Sequence, residues 1–274
     1  MSDSLSAALA TLRRRYGPQA LHRGDLAGVA GGWATGVPVI DSQLTPGGLP
    51  RGRVTVLAAA RVGPSGRLTL LQSLTAVASR SRYVGYIDLA GSVDPGFLAD
   101  LGADLDACLV VTPGRDRWER GLVMARALVV AGISWVGIAL GPDRPAPKLW
   151  EHALAALAEA LGKRRTVCVI AGPAPLATPL AHVSSLTLAC APAGWQRAHE
   201  DVSGLRVRLT AVKSRIGAPG AEATVLLRYP RPYAVAEVVG LPTVITPRLQ
   251  PAAGERSSLR PAPAPAAAAA AARR

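Results

Sequence analysis

Gly47-Gly48-Leu49-Pro50-Arg51-Gly52-Arg53, the apolar run Val54-Thr55-Val56-Leu57, and then Gly63-Pro64-Ser65-Gly66-Arg67-Leu68-Thr69-Leu70 set a turn, a buried strand, a glycine-rich loop and a helix in that order. A phosphate-binding loop belongs at such a strand-to-helix junction. Its working form is G-x-x-x-x-G-K-[ST]: glycines let backbone N–H groups approach the phosphates, the lysine reaches the terminal phosphates, and the hydroxyl holds Mg²⁺. Here Arg61 stands at the first glycine, Arg67 at the lysine and Leu68 at the hydroxyl, while Gly63 and Gly66 keep the loop glycine-rich. The stretch has the scaffold of such a loop and lacks its chemistry.

The remaining strands and helices follow from periodicity. Strands are expected at Val54–Ala58, Tyr83–Leu89, Ala107–Thr112, Trp135–Leu140 and Thr166–Ile170. Helices are expected at Gly66–Ser79, from the Asp94-Pro95 cap through Leu101, at Arg117–Val130, and at Lys148–Leu161, where Trp150, Leu154, Leu157 and Leu161 are in phase. Alternation of this kind implies an α/β fold, a doubly wound and mainly parallel sheet flanked by helices. The pattern then changes: Leu186–Ala191, Leu205–Val212 and Ala223–Tyr229 read as an antiparallel hairpin extension at one edge, with a Gly- and Pro-containing turn between Ser214 and Ala221. Residues 24–50 read as an irregular lead-in.

Three parts are expected: an N-terminal amphipathic helix within 1–24, a core domain over 25–247, and a Pro-, Ala- and Arg-rich tail over 248–274. The helix sets Leu5, Leu9 and Leu12 on one face and ends in Arg13, Arg14 and Arg15; it packs on its own domain or docks on another subunit. The tail cannot bury enough surface to fold alone, and is either solvated or ordered by a partner.

The 274 residues carry a net charge of +13, almost all of it arginine, since Lys148, Lys163 and Lys213 are the lysines. A GC-rich genome would account for arginine over lysine but not for the net charge, which favours an anionic partner. Candidate nucleic-acid contacts are Arg13, Arg14, Arg15, Arg80, Arg82, Lys163, Arg164, Arg165, Arg206 and Arg208. Cys108, Cys168 and Cys190 lie in apolar segments without the spacing of metal ligands and read as buried thiols. No metal or cofactor site is expected. No apolar run is long enough to span a bilayer and no signal-peptide core is seen, so a cytoplasmic protein without membrane contact is expected.

Several motifs in sequence order resemble the ATPase core of the RecA recombinases. Ala34-Thr35-Gly36-Val37-Pro38-Val39-Ile40-Asp41 leading into Gly47–Arg53 is similar to that family's T-G-x-x-x-L-D and G-G-L-P-x-G-R segments. Tyr86-Ile87-Asp88 with Asp94-Pro95, Leu101-Gly102 with Asp104-Leu105-Asp106, and Val212-Lys213-Ser214-Arg215 with Ala218-Pro219 resemble its later motifs. The resemblance covers roughly residues 34–230 and implies a RecA-like fold.

The departures from the family pattern carry the functional expectation. Besides Arg67 and Leu68, the family's water-activating Glu falls on Ala90, and the metal-holding Asp at the end of the fourth strand falls on Leu140. Phosphoryl transfer depends on positioning and electrostatics from these groups. Their joint replacement implies a protein that is not an enzyme and takes no cofactor. Lys213 and Arg215 match the two basic positions that reach the nucleotide of a neighbouring subunit in the family's filament; they are either that retained surface or two solvated strand residues. The whole pattern is most similar to the ImuA family, the RecA-like accessory proteins of the translesion-synthesis mutasome. That resemblance implies a non-catalytic adaptor in SOS-induced error-prone synthesis. Its partners would be an ImuB-type inactive Y-family polymerase homologue, an error-prone C-family polymerase complex and RecA, with DNA contact weak or indirect. The alternative is a DNA-binding RecA paralogue that mediates recombination.

Overall fold

The computed structural model describes residues 31–114, 117–142, 147–174, 180, 182–198, 201–229 and 237–241. All of them fall in the first of two compact units, 1–243; the second, 244–274, lies outside the described residues. The expected N-terminal helix with Leu5, Leu9, Leu12 and Arg13 to Arg15, and the tail over 248–274, also lie outside them.

The order of elements is β1 (Arg53–Ala59), α1 (Arg67–Ser79), β2 (Val84–Asp88), α2 (Pro95–Asp100), β3 (Cys108–Val111), α3 (Trp118–Val130), β4 (Trp135–Ala139), α4 (Pro147–Arg164), β5 (Val167–Gly172), β6 (Ser184–Ala198), β7 (Asp201–Ser214), β8 (Glu222–Arg228) and β9 (Glu237–Leu241). Among the described residues they form one sheet in the order β3-β2-β4-β5-β1-β6-β7-β8-β9. The first six in that order run parallel, and β7, β8 and β9 are antiparallel. The expected doubly wound α/β architecture with an antiparallel extension is the one observed.

Alternation along the buried strands divides the core in two. Val54, Val56 and Ala58 of β1 and Cys168 and Ile170 of β5 face α3 and α4, which bury Trp118, Leu122, Trp150, Leu154, Leu157 and Leu161. Leu57, Val167, Val169 and Ala171 face the opposite way, toward Leu70, Leu71 and Leu74 of α1 and toward Trp33. Both faces of the parallel strands are therefore covered, which is why they read as continuous apolar runs. Two tryptophan pairs in edge-to-face contact mark the two layers, Trp33–Trp135 at 6.2 Å and Trp118–Trp150 at 5.6 Å between centroids.

Asp94 caps α2 as expected, its carboxylate accepting from the Gly96 N–H at 2.8 Å. Three readings are corrected. The lead-in is not wholly irregular: Ile40–Leu44 forms a helical turn, Trp33 bridges Leu49, and the Asp41 carboxylate accepts the Thr35 N–H. β6 and β7 run 15 and 14 residues, beyond the expected Leu186–Ala191 and Leu205–Val212. Their outer halves pair chiefly with each other, so polar residues and Pro192 survive there, with bulges near Pro192 and Gln196. Strand β9 was not foreseen at all.

Cys168 and Cys190 are fully buried free thiols, and burial pushes each up to about 12 from an ordinary 9.0. A raised folded value means the native state holds the proton more tightly. This contribution to stability is complete below pH 9 and is lost as the pH rises toward 12. Urea midpoints should fall over that window, and the Cys168→Ala/Cys190→Ala variant should show a shallower fall.

Candidate functional site

The glycine-rich loop leaves the carboxyl end of β1 and turns into α1. Gly63 has φ +116° and open space around it, whereas Gly66 has φ +70° and stands at the N-cap of α1 without a side chain to cap it. A Cβ on Gly66 would lie 2.6 Å from Val207 Cγ2 and 2.7 Å from Leu227 Cδ1. This glycine is thus required by the packing of β7 and β8 against the loop, and a phosphate need not be invoked to explain it.

Arg67 opens the helix. Its Nη1 donates to the Ser65 hydroxyl at 3.1 Å, so the guanidinium is folded back into the loop that carries it. Burial holds its pKa below the ordinary value, with the Cys190 thiol acting in the opposite direction. Its Nε is buried without a partner among the described residues. A cation in the first turn also opposes the helix dipole. Leu68, at the hydroxyl position, packs half-buried against the α1-side core.

Two further positions complete the carboxyl end of the sheet. Ala90, just past β2, packs against the same core as Leu68, and Leu140, just past β4, is buried against the opposite layer. The backbone fixes both segments: the Leu89 N–H donates to Ala139 O at 2.9 Å and the Leu140 N–H to Ala171 O at 2.8 Å. Neither side chain can transfer a proton or hold a metal. Among the described residues no group of three His, Cys, Asp or Glu side chains comes together.

Asp88 is the strand-end carboxylate here, and it does not pair with Arg67, whose guanidinium goes to Ser65. Its oxygens accept the N–H groups of Ala90 at 3.1 Å, Ser92 at 2.8 Å and Val93 at 2.9 Å. The carboxylate is consumed in shaping the turn after β2. Asp88→Ala should therefore cost roughly 2–4 kcal/mol by stranding three partly buried donors. Chemical denaturation measures it, and a loss below about 1 kcal/mol would contradict the assignment.

Lys213 and Arg215 sit at the opposite end of the sheet from the loop. Ser214 pairs with Leu186, near the start of β6, and the Arg215 N–H donates to Ser185 O at 2.9 Å. Ser184 in turn aligns with Val54 at the amino end of β1. Lys213 is lowered by burial and by the charge of Arg215. Neither residue is brought to the chain's own loop. Arg164 and Arg165 are exposed at the end of α4, also at the amino end of the parallel strands. Arg13, Arg14 and Arg15 lie outside the described residues. The sequence missed Ser65, buried at 2% exposure and the acceptor for Arg67; only the fold shows that this loop residue points inward. Among the described residues no helix is long and apolar enough to cross a membrane.

Residues 3–138 match the RecA N-terminal domain family. The chain is 35% identical over 134 residues to RecA of Haemophilus ducreyi, covering 47% of this chain and 34% of that protein. It is 26% identical over 262 residues to RecA of Lactobacillus acidophilus, covering 82% of this chain and 70% of that protein. The chain spans about a third of the length of the first curated relatives it matches, from 34% to 38%. The solved RadB recombinase superposes with a TM-score of 0.55 at 16% identity, covering 71% of this chain and 95% of that one. That last likeness is one of fold.

Proposed function

We propose that this chain, which belongs to the RecA-like family, is a non-catalytic adaptor of SOS-induced error-prone translesion synthesis, of the kind represented by ImuA. In this reading it binds an ImuB-type inactive polymerase homologue and, through it, an error-prone C-family polymerase complex, and it also docks on RecA. The observation that carries the reading is the state of the loop: the Arg67 guanidinium is turned onto Ser65 and Leu68 packs half-buried against the core. The groups needed for phosphoryl transfer are replaced at four positions in three separate segments, Arg67 and Leu68, Ala90, and Leu140. Such a scaffold presents surfaces without turning over nucleotide, and its place is cytoplasmic.

Two measurements test this. Purified protein with ATP, Mg²⁺ and single-stranded DNA should hydrolyse nothing above background. Arg67→Lys/Leu68→Thr should not restore turnover, because Ala90 and Leu140 supply no carboxylate. Affinity purification from DNA-damaged cells should retain an ImuB-type protein. Hydrolysis at the rate of an active RecA, or a preparation lacking every translesion component, would sink the reading. A recombination mediator is the second reading, favoured by the basic residues at the amino end of the sheet; salt-sensitive DNA binding without any translesion partner would select it.

A further inference from the structure

Four segments meet beneath β9 without filling the space between them. The lead-in passes close over α1 at Gly36, where φ is +77° and a Cβ would lie 3.3 Å from Val77 Cγ1. β9 lies against the same helix, with Val238 aligned to Leu227 and packed on the α1-side core. Arg80, at the end of α1, reaches the turn after α2, where its Nε and Nη2 donate to the carbonyls of Gly102 and Leu101, each at 2.8 Å. Between these segments lies a cavity of about 170 Å³. Its apolar wall is made by Leu70, Leu74 and Val77 of α1, by Val37 and Leu101, and by Val238.

The hydroxyls in that wall have spent their protons. Ser73 donates to Thr69 O at 2.8 Å, and Thr35 donates to Val37 O at 3.4 Å while accepting the Val37 N–H at 3.1 Å. An apolar occupant therefore strands no donor there. An apolar cavity of about this size stays dry and accepts a benzene ring. The mouth is different. Gly36, Arg80 and Glu237 are its exposed residues. Glu237 is already paired with Arg228 across β8 and β9. Arg80 has no carboxylate partner among the described residues; its two bonds go to neutral carbonyls and leave Nη1 uncommitted. The cavity thus offers room for one ring and a single uncompensated cation at its rim. An aromatic carboxylate answers both, since a hydrogen bond with charge on donor and acceptor is the stronger kind. A cationic ligand of the same shape would be repelled.

We infer that this cavity is a binding site for a small aromatic monocarboxylate, with the ring between α1, the lead-in and β9 and the carboxylate on Arg80. Such a molecule ties β9 and the lead-in to α1 at the end of the helix remote from the glycine-rich loop, which opens into the helix start. The inference needs neither an inactive loop nor a polymerase partner, so it stands or falls apart from the proposed function.

The test titrates fluorobenzoate into the full chain and follows the ligand by fluorine NMR. A ligand of this size should bind with a Kd of about 0.1–1 mM and raise the urea midpoint of the protein. Fluorotoluene, which has the ring without the carboxylate, should bind about tenfold more weakly, and fluorobenzylamine more weakly still. Arg80→Gln should remove the preference for fluorobenzoate over fluorotoluene, a split that a general loosening of the structure would not give. Ser73→Leu and Val238→Phe fill the cavity from two different elements and should each abolish binding of both ligands; one serves if the other fails to fold, as judged by circular dichroism. Arg82→Gln and Tyr83→Ala alter the neighbouring cleft that Arg80 also lines, and should change nothing. The inference is overturned by no line broadening up to ~10 mM fluorobenzoate, by binding that survives cavity filling in folded protein, or by fluorobenzylamine binding as tightly as fluorobenzoate. Arg82→Gln costing as much as Arg80→Gln would also overturn it and move the ligand to the cleft.

Discussion

Trp135→Ala lowers the stability of this protein by roughly 3–5 kcal/mol, the cost of removing a large core side chain that its surroundings cannot refill. Trp135 opens β4 and is fully buried. Its ring meets Trp33 edge-to-face and lies against Gly137, where a Cβ would come within 2.8 Å of Trp135 Cζ3. The indole N–H has no partner among the described residues, so no hydrogen bond is lost and the cost is packing alone. With β4 flanked by β2 and β5, the cavity sits inside the parallel part of the sheet and away from its edges. Against a typical total of about 5–15 kcal/mol, such a loss is a large part of the whole. Urea unfolding followed by tryptophan fluorescence and circular dichroism measures it. Trp135→Phe should recover more than half of the loss, and a cost below about 1 kcal/mol would refute the packing argument.

Gly66→Ala costs roughly 2–5 kcal/mol by two separate effects. A left-handed backbone at φ +70° is disfavoured by about 1–2 kcal/mol for any residue with a Cβ. Overpacking against Val207 and Leu227, both almost wholly buried and unable to retreat, adds about 1–3 kcal/mol. Gly63→Ala separates the two effects: Gly63 also has positive φ but open space, so it should show the backbone cost alone. If Gly66→Ala proves as mild as Gly63→Ala, β7 and β8 do not constrain the loop. The comparison bears on function, because a glycine demanded by strand packing persists in a loop whether or not it ever holds a phosphate.

Much of the fold was legible because both periodicities were strong. β1, β2, β4 and β5 are buried on both faces, and continuous apolar runs reveal such strands without any alignment. α4 was legible from Trp150, Leu154, Leu157 and Leu161 on one stripe. β9 was not, since Glu237-Val-Val-Gly-Leu241 is a short half-buried segment whose pairing with β8 is its main definition. The outer halves of β6 and β7 were hidden for a related reason. Gly194, Gln196, Arg197 and Gly204 carry little strand signal, and the ladder between the two strands supplies what propensity does not.

The candidate site divides in the same way. That Arg67, Leu68, Ala90 and Leu140 carry no lysine, hydroxyl or carboxylate is a property of the sequence, since a group absent from the residues cannot be supplied by folding. Where Asp88 spends its carboxylate was not readable, because its three donors are backbone groups gathered by the turn after β2. The cavity beneath β9 was equally hidden: Thr35, Leu74, Arg80 and Val238 come from segments far apart in the chain and meet only in the folded protein. The sequence by itself determined the alternation of elements, the RecA-like order of motifs and which side chains stand in and around the loop. Tertiary structure alone decided that Gly66 is held by β7 and β8, that Arg67 turns onto Ser65, and that the basic turns share one edge. Local pattern specifies which elements form, and sheet order and register specify which distant side chains become neighbours.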